Sequence, residues 1–388
     1  MAQSASIFVA RLEDGRLQVV TGDMQTRWKI SRVERYAGWT SWRSFPTAGL
    51  PSYATQPYSL DLVTIYPLTA LAAAQLMTAS SQAPNAGRLM VFACDSEASA
   101  SNSNDLGLYV TMKSSEESDA EWLPWTNPPY PVQQGGSSSY SASQVAVVPL
   151  ADGRLQLWVS VTEEDGPITL YSCVQNAVAW NAPLYSNWTP FALGTTYGVA
   201  EPYQAALLNP VAASFPNNNL SQPGFQAQIW LPTNPVITSL RQSASAPAEL
   251  TDPLVGWSQW SEFAALGGVP EDANLIPVQA ATDGQGRTYL WLYSFNPGSP
   301  AGSGPWSYIY SLPDAPYWST LLNFGMPEAS AIGLSDQPFL TNVISAAPLP
   351  SGFLQLFYLG MSGQVWTCWQ TALPSNTTIG SWTEWETF

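Results

Sequence analysis

The sequence predicts an all-β protein built from six similar units, because two patterns each occur six times along its 388 residues. In the first pattern a glycine opens a run of apolar and aromatic residues, which is typical of a tight turn leading into a strand. In the second pattern a tryptophan follows each glycine after 24 to 35 residues. The glycines are Gly15, Gly87, Gly153, Gly224, Gly286 and Gly352, and the tryptophans are Trp39, Trp122, Trp188, Trp257, Trp318 and Trp382. Strict alternation of the two patterns predicts a six-bladed β-propeller with four antiparallel strands in each blade and the tryptophan strands outermost.

The first unit is the template for the four strands of a blade. Its expected strands are residues 6–12, 16–21, 27–33 and 39–45, which are rich in β-branched and aromatic residues or alternate apolar with polar ones. The expected strands of the second unit are 71–79, 89–94, 106–112 and 122–125, and those of the third unit are 144–150, 155–160, 168–174 and 188–191. In the fifth unit they are 274–280, 289–293, 307–312 and 318–324, and in the sixth unit 341–347, 354–359, 364–370 and 382–388. The fourth unit is less regular, because residues 216–219 lengthen its first hairpin before the last strand at 257–263.

We expect these units to form a single domain over residues 1–388, since no long Gly/Ser linker interrupts the period. The expected blades are about 4–46, 59–128, 142–192, 203–263, 274–325 and 338–388. The first unit begins on an inner strand and the last ends on an outer one, so ring closure is expected from face-to-face packing of blades six and one. A pair of β-sandwiches is the alternative architecture, but it does not explain two patterns of six.

Composition excludes several classes of partner. The chain has 12 basic and 28 acidic residues, a net charge of −16, and a nucleic-acid partner would require a basic surface. No run of about 18 apolar residues is present, so no membrane span is expected. Sequons at Asn187, Asn219 and Asn376 are compatible with a secretory history, although no signal peptide is recognised at Met1, and the localisation stays open.

Two further residue sets are interpreted as structural. The three cysteines, Cys94, Cys173 and Cys368, stand on strands of different units, and an odd count without close spacing predicts buried packing residues rather than disulfides or a zinc site. Four arginines follow turn glycines and are expected to be turn residues on the face opposite the channel mouth: Arg16, Arg88, Arg154 and Arg287.

The candidate site is the mouth of the central channel. The chain has no histidine, which removes most catalytic triads and most metal sites, and we expect no metal and no cofactor. An amide stands near the expected start of five inner strands, and aromatic residues precede several of them. The amides are Gln75, Gln144, Gln204, Asn274 and Asn342, and the aromatic residues are Tyr66, Tyr140, Tyr203 and Phe339. Such amides can satisfy one another or hold ordered water, or they can line a pocket for one uncharged ligand or a pair of reactants.

The repeat resembles that of fucose-binding propeller lectins, whose units read roughly Asp-Gly-Arg-Leu-x-Val-Phe and then Gly-Trp-Ser-x-Trp. The pattern is best kept at residues 14–20 with 38–42, at 256–260, and at 352–357 with 366–370. The resemblance implies a sugar-binding protein without catalytic activity. This chain departs from those lectins because its loops differ in length and residue type from unit to unit, which favours one central site over evenly repeated sites.

An irregular, lectin-like propeller with few charges is also similar to the fungal hetero-Diels-Alderases of tropolone sesquiterpenoid biosynthesis, which join a polyketide-derived quinone methide to a terpene such as humulene. This resemblance implies a cofactor-free pericyclase of meroterpenoid biosynthesis. A cycloaddition needs only orientation of two reactants and hydrogen bonds to a carbonyl that gains electron density, which the five amides and the tyrosines would supply. The sequence thus favours a pericyclase, with a fucose-type lectin as the alternative.

Overall fold

The structure, a computed structural model, describes the strands of the protein and the connections next to them. The described residues are 7–12, 16–21, 30–35, 38–43, 46–50, 58–60, 63–65, 68–75, 88–95, 107–115, 120–128, 140–149, 154–163, 168–175, 188–191, 211–216, 225–233, 236–241, 254, 261–262, 274–295, 307–310, 322–323, 344–359, 364–374 and 380–388. Within these residues no helix is long and apolar enough to cross a membrane.

Each blade is a meander in which consecutive strands pair antiparallel. Blade 1 contains β1 (Ile7–Arg11), β2 (Leu17–Thr21), β3 (Ile30–Arg35) and β4 (Gly38–Trp39). A separate hairpin follows, formed by β5 (Tyr58–Leu60) and β6 (Val63–Ile65). Blade 2 contains β7 (Leu68–Gln75), β8 (Leu89–Asp95) and β9 (Leu108–Met112). Blade 3 contains β10 (Tyr140–Pro149), β11 (Leu155–Glu163), β12 (Ile168–Val174) and β13 (Thr189–Pro190), and blade 4 contains β14 (Val211–Pro216), β15 (Phe225–Thr233), β16 (Val236–Arg241) and β17 (Ser261–Glu262). Blade 5 contains β18 (Asn274–Thr282), β19 (Thr288–Phe295), β20 (Ser307–Tyr310) and β21 (Leu322–Asn323), and blade 6 contains β22 (Ile344–Pro348), β23 (Leu354–Leu359), β24 (Val365–Ala372), β25 (Ser381–Trp382) and β26 (Glu386–Thr387).

The innermost strands of the six blades contact one another in order. The strand β1 contacts β7, β7 contacts β10, β10 contacts β14, β14 contacts β18, β18 contacts β22, and β22 contacts β1. A hydrogen bond from the Val9 amide to Ser345 Oγ, 2.9 Å long, joins the first and last blades. The protein is therefore an all-β, six-bladed propeller, as the two patterns of six predicted.

Successive residues of a strand point to opposite faces, and this alternation divides the core among the blade interfaces. In β2, Leu17 and Val19 pack against blade 6, whereas Val20 packs against blade 2. Blade 6 contributes Phe357 and Leu359 to the interface with blade 1. Packing of blade 6 against blade 1 agrees with the expected means of joining the ends of the chain. Each buried side chain of this size stabilises the fold by roughly 1.5 to 3 kcal/mol relative to exposure.

Most expected strand positions are confirmed, and the inner strand of blade 2 is corrected. The strands β12 and β23 have the expected bounds, but β7 covers Leu68–Gln75 instead of 71–79. The register places Gln75 opposite Leu89, the first residue of β8, and the described ladder ends at this pair. The tryptophan strand is outermost where it is described, with Trp39 in β4, Trp122 bridging to Lys113, and Trp382 in β25. Trp257 and Trp318 lie outside the described residues.

Two of the turn glycines confirm why glycine opens each second strand. Gly286 and Gly352 have φ values of 80° and 85°, in the left-handed region that residues with a Cβ rarely adopt. Both turns have the same backbone pattern, in which the glycine amide donates to the carbonyl three residues earlier: Gly286 to Asp283 at 3.0 Å and Gly352 to Leu349 at 2.9 Å. The glycine therefore fixes the register of the hairpin that it closes.

The cysteine prediction is also confirmed. Cys94, Cys173 and Cys368 are free thiols, and each is buried. Burial raises the pKa of the Cys173 and Cys368 thiols well above their ordinary value. These residues therefore act as small apolar side chains of the blade interfaces.

Candidate functional site

The structure describes three of the five predicted channel amides, and they stand at different positions along their inner strands. Asn274 is the first residue of β18, and Gln144 lies within β10, after a bulge. Gln75 is the last residue of β7 and pairs with Leu89 of β8, which corrects its expected position near a strand start. Because the inner strands of a propeller run parallel to one another, Gln75 and Asn274 lie at opposite ends of the channel. Gln204 and Asn342 lie outside the described residues.

The aromatic residues expected around the same mouth remain predictions. Tyr140 is the first residue of β10, which places its backbone at the entry of an inner strand. Tyr66, Tyr203 and Phe339 lie outside the described residues.

Two of the turn arginines are structural, as the sequence predicted. The Arg154 side chain is buried, and its Nη1 donates to the carbonyl oxygen of Gln175 at 2.9 Å. The Arg287 guanidinium is buried at the interface of blades 5 and 6, where Nε is 2.9 Å from Asp283 Oδ2 and Nη1 donates to the carbonyl oxygen of Pro374. Both guanidinium groups thus hold the backbone near the turns and are not available to a ligand.

The Asp283 carboxylate is the centre of a buried hydrogen-bond network. Its Oδ1 accepts from the amides of Gln285 and Arg287 at 2.9 and 3.0 Å, and its Oδ2 accepts from the Tyr289 hydroxyl at 3.2 Å. Burial, and next the negative charge of Asp283, raise the pKa of Tyr289 far above its ordinary value. Tyr289 therefore serves as a hydrogen-bond donor to Asp283 and stays protonated.

A cleft between the outer parts of blades 6 and 1 has the side chains of a ligand site. Its volume is about 460 Å³, within the usual range of roughly 300 to 1,000 Å³ for small-molecule sites. Blade 1 contributes Trp39 to its wall. The remaining lining residues, from blade 6 and its first turn, are Leu349, Gln355, Thr367, Trp369, Glu386, Thr387 and Phe388.

Strand pairing explains how these residues come to one face. In blade 6, Gln355 pairs with Trp369 and Phe357 pairs with Thr367 across β23 and β24, and Glu386 of β26 pairs with Thr367. Directly paired residues point to the same side of a sheet. Phe357 packs against blade 1, so the whole row faces that blade and forms the floor of the cleft.

The polar part of the floor is held by two hydrogen bonds. Gln355 Nε2 donates to Thr367 Oγ1 at 2.9 Å, and Thr367 Oγ1 donates to the carbonyl oxygen of Leu356, also at 2.9 Å. Thr367 is 3% exposed and fully used by these bonds, whereas Gln355 is 8% exposed and lines the cleft. Thr367 therefore orients the Gln355 amide, whose oxygen accepts no hydrogen bond from the described residues.

The aromatic part of the cleft comes from both blades. The Trp39 ring packs edge to face on Phe388 and Phe357, with ring centres 4.6 and 5.8 Å apart. These contacts fix the indole in an orientation that aromatic pairs favour. Trp369 is half-buried, and its backbone pairs with Thr383 while its indole lines the cleft. The cleft thus has two indoles for the apolar face of a ligand.

The charge of the cleft is negative. Glu386 is exposed at its edge and forms no ion pair with another described residue, and no lysine or arginine is among the residues that line the cleft. Within the described part of the chain, no three His, Cys, Asp or Glu residues are grouped as metal ligands would be. The cleft is therefore suited to bind a polar, uncharged or cationic molecule through indoles, an amide and a carboxylate.

The glutamine–hydroxyl pair of Gln355 and Thr367 recurs in blade 3, and blade 1 has a glutamine at the same place without such a partner among the described residues. In blade 3, Gln156 Nε2 donates to Ser172 Oγ at 3.1 Å, and both residues are 0% exposed. In blade 1, Gln18 has the same place after the turn and is buried, with no described partner for its amide nitrogen and oxygen. Of these three places, only the one between blades 6 and 1 is part of the described cleft.

Sequence reasoning missed Gln355, Thr367, Trp369 and Glu386 as site residues. One signal was present: a glutamine stands three residues after the turn glycine in units one, three and six. Residues 352–357 and 366–370 were also among the segments where the lectin-like pattern is best kept. The sequence does not show, however, that Trp39 of the first unit closes over them.

No family model and no curated protein sequence matches the chain. Solved structures match it in fold. AofleA from Arthrobotrys oligospora has a TM-score of 0.51 at 9% identity, over 99% of this chain and 86% of that one. A variant of AofleA with three arginines replaced by alanine has a TM-score of 0.52 at 8% identity, with the same coverage.

A third similar structure is the lectin from Aleuria aurantia, described as a fungal lectin with a six-bladed β-propeller fold and a novel mode of fucose recognition. It has a TM-score of 0.47 at 12% identity, over 98% of this chain and 95% of that one. Nothing in these comparisons supports the cycloaddition catalyst that the sequence favoured. At such identities the AofleA structures show the fold alone, and together with the strand order and contacts they establish that this chain is a six-bladed β-propeller similar to AofleA.

Proposed function

We propose that the protein is a carbohydrate-binding module and that the cleft between blades 6 and 1 holds the sugar. The observation that carries this proposal is the chemistry of the cleft: Trp39 and Trp369 supply apolar faces, and Gln355 and Glu386 supply hydrogen-bond acceptors at one place. A pyranose ring has an apolar face of C–H groups and a rim of hydroxyl donors, which matches this set of side chains. Function of this kind needs no nucleophile, metal or general base.

The recognised sugar of the Aleuria aurantia lectin, fucose, provides the first compound to test. We expect L-fucose, or another neutral monosaccharide in a panel that includes galactose, glucose and mannose, to bind with heat detectable by titration calorimetry. Replacing Trp369 by alanine is expected to weaken binding about two- to tenfold, because one well-placed aromatic contact contributes roughly 0.5 to 1.5 kcal/mol beyond its buried area.

Trp385 offers a matched control for that substitution. It is a half-buried tryptophan of the same blade, but its ring packs on Tyr358, 6.2 Å between centres, and it does not line the cleft. Trp385→Ala should leave the affinity unchanged. Equal loss of affinity in Trp369→Ala and Trp385→Ala would show that the cleft is not a sugar site.

Thr367 is expected to act as a positioning residue, since its hydroxyl orients Gln355. Thr367→Val should weaken sugar binding about as much as Gln355→Leu, whereas Thr367→Ser, which keeps the hydroxyl, should restore it. Thermal melting of the three variants separates a loss of binding from a loss of folding. Full affinity in a folded Thr367→Val variant would rule out the role given to Gln355.

A cycloaddition catalyst was expected to hold its five amides at one channel mouth, whereas Gln75 lies at the end of β7. The module is instead proposed to bind its ligand between blades, at the outer part of the ring.

A further inference from the structure

At the cleft, Gln355 and Glu386 present hydrogen-bond acceptors, and the two tryptophans and Thr387 carry donors. The Gln355 amide oxygen and the Glu386 carboxylate can only accept, and the donors that line the cleft include the Trp369 indole N–H. Gln355 Nε2 already donates one of its hydrogens to Thr367. A ligand that fits this arrangement must therefore bring donors on the edge that faces Gln355 and Glu386.

The same side chains also favour positive charge. Glu386 is exposed and lies in the cleft with no described cation beside it, and the indoles of Trp39 and Trp369 attract cations through their ring faces. The whole chain has a net charge of −16, which adds a long-range attraction for cations at low ionic strength. Uronic acids and sulfated sugars meet only repulsion from these groups.

We propose that the cleft is selective for saccharides that carry a protonated amino group, an inference that rests on the proposed sugar-binding function. The ammonium would lie beside the Glu386 carboxylate, with the Gln355 amide oxygen accepting from the same edge of the ring and an indole below the apolar face. An N-acetyl group removes the positive charge and keeps only one N–H donor, so it removes the preference.

The test compares sugars that differ at one substituent. Glucosamine, N-acetylglucosamine, glucose and glucuronate form one series, and the corresponding galactose derivatives form a second; each is titrated at low ionic strength and near neutral pH. We expect the amino sugar of at least one series to bind about three- to fivefold more tightly than its neutral parent, the gain that an exposed charge pair gives. The uronate should bind more weakly than the parent.

Two variants assign the preference to a residue. Glu386→Gln should make the amino sugar and its neutral parent bind equally, and Glu384→Gln, an exposed glutamate of the same segment that does not line the cleft, should keep the difference. Added salt, or a pH at which the sugar amine is deprotonated, should also remove the preference for the amino sugar.

The outcomes separate this inference from the proposed function. Neutral sugars that bind as well as amino sugars, or a preference that persists in Glu386→Gln, would overturn the selectivity and leave sugar binding in place. If none of the neutral or amino sugars binds, the proposed function itself is wrong, and the selectivity falls with it.

Discussion

Removal of the Asp283 carboxylate is the most informative test of how the blades are held together. The Asp283 and Arg287 side chains are 0% and 4% exposed, and Arg287 Nη1 reaches across to the carbonyl oxygen of Pro374 in blade 6. Asp283→Ala would leave a buried guanidinium with its charge uncompensated and the Tyr289 hydroxyl without its acceptor. Breaking one side of a buried ion pair costs about 3 to 5 kcal/mol, and total stability is typically about 5 to 15 kcal/mol. We therefore expect Asp283→Ala to remove a large part of the stability.

The companion substitution shows whether the charge is the cause. Replacing both partners, Asp283→Leu with Arg287→Met, removes the two buried charges. It loses the same carboxylate hydrogen bonds as Asp283→Ala and in addition leaves the Pro374 carbonyl without its donor, a further loss of about 1 to 3 kcal/mol. Because it leaves no buried charge uncompensated, the double variant should still be more stable than Asp283→Ala, although it carries more changes. Double-mutant cycles between contacting residues usually give interaction energies of about 0.5 to 3 kcal/mol.

Urea unfolding followed by tryptophan fluorescence supplies the measurement, since the chain contains 18 tryptophans. A lower urea concentration at the unfolding midpoint, with the same dependence of the free energy on urea, would report a change in stability and not in the surface exposed on unfolding. A double variant no more stable than Asp283→Ala, or a loss below about 1 kcal/mol in Asp283→Ala, would refute the reasoning that the pair is a buried, coupled unit.

Three further predictions concern the same interface, the buried thiols and the loss of stability at alkaline pH. Gly284→Ala should destabilise the fold by about 1 to 3 kcal/mol, measured by the same urea unfolding, because a Cβ there would lie 2.5 Å from the Cα of Gly352; unchanged stability would mean that the two turns do not touch. Cys173 and Cys368 should resist a thiol reagent until the chain unfolds, and rapid labelling in native buffer would contradict their burial. Their raised pKa values also set the direction of a pH dependence: the unfolded thiols lose protons above about pH 8.5 while the folded ones keep them, so stability is complete below that pH and falls as pH rises. Tyr289 acts in the same direction above about pH 10, and Tyr289→Phe should reduce the alkaline loss.

Much of the fold was predictable because it is encoded in short stretches of sequence. The left-handed turn at Gly352 and the apolar strand that follows it lie within eight residues, and the predicted bounds of β23 agree with the structure. The inner strand of blade 2 was displaced, since its described ladder ends at the pair of Gln75 and Leu89 and its own composition does not show that end. A continuous apolar run does not by itself fix a register.

The site was less predictable, because the type of a residue does not show how deeply its side chain is buried or where along its strand it lies. The five channel amides were chosen as amides near expected strand starts, but β7 begins at Leu68 instead of residue 71, and Gln75 is its last residue. Arg154 and Arg287 were assigned correctly as structural, since each guanidinium donates to a backbone carbonyl, of Gln175 and of Pro374.

The sequence by itself determined the number of blades, the turns between their first two strands and the burial of the cysteines, since these depend on local periodicity and on side-chain polarity. Only the tertiary structure decided where a ligand could bind. Gln156 and Gln355 follow the same turn and donate to the same kind of hydroxyl, yet the first is 0% exposed and the second 8% exposed and lines a cleft. The physical reason is that access to a blade face depends on the neighbouring blade, and for Gln355 that neighbour is the blade of Trp39, at the other end of the chain.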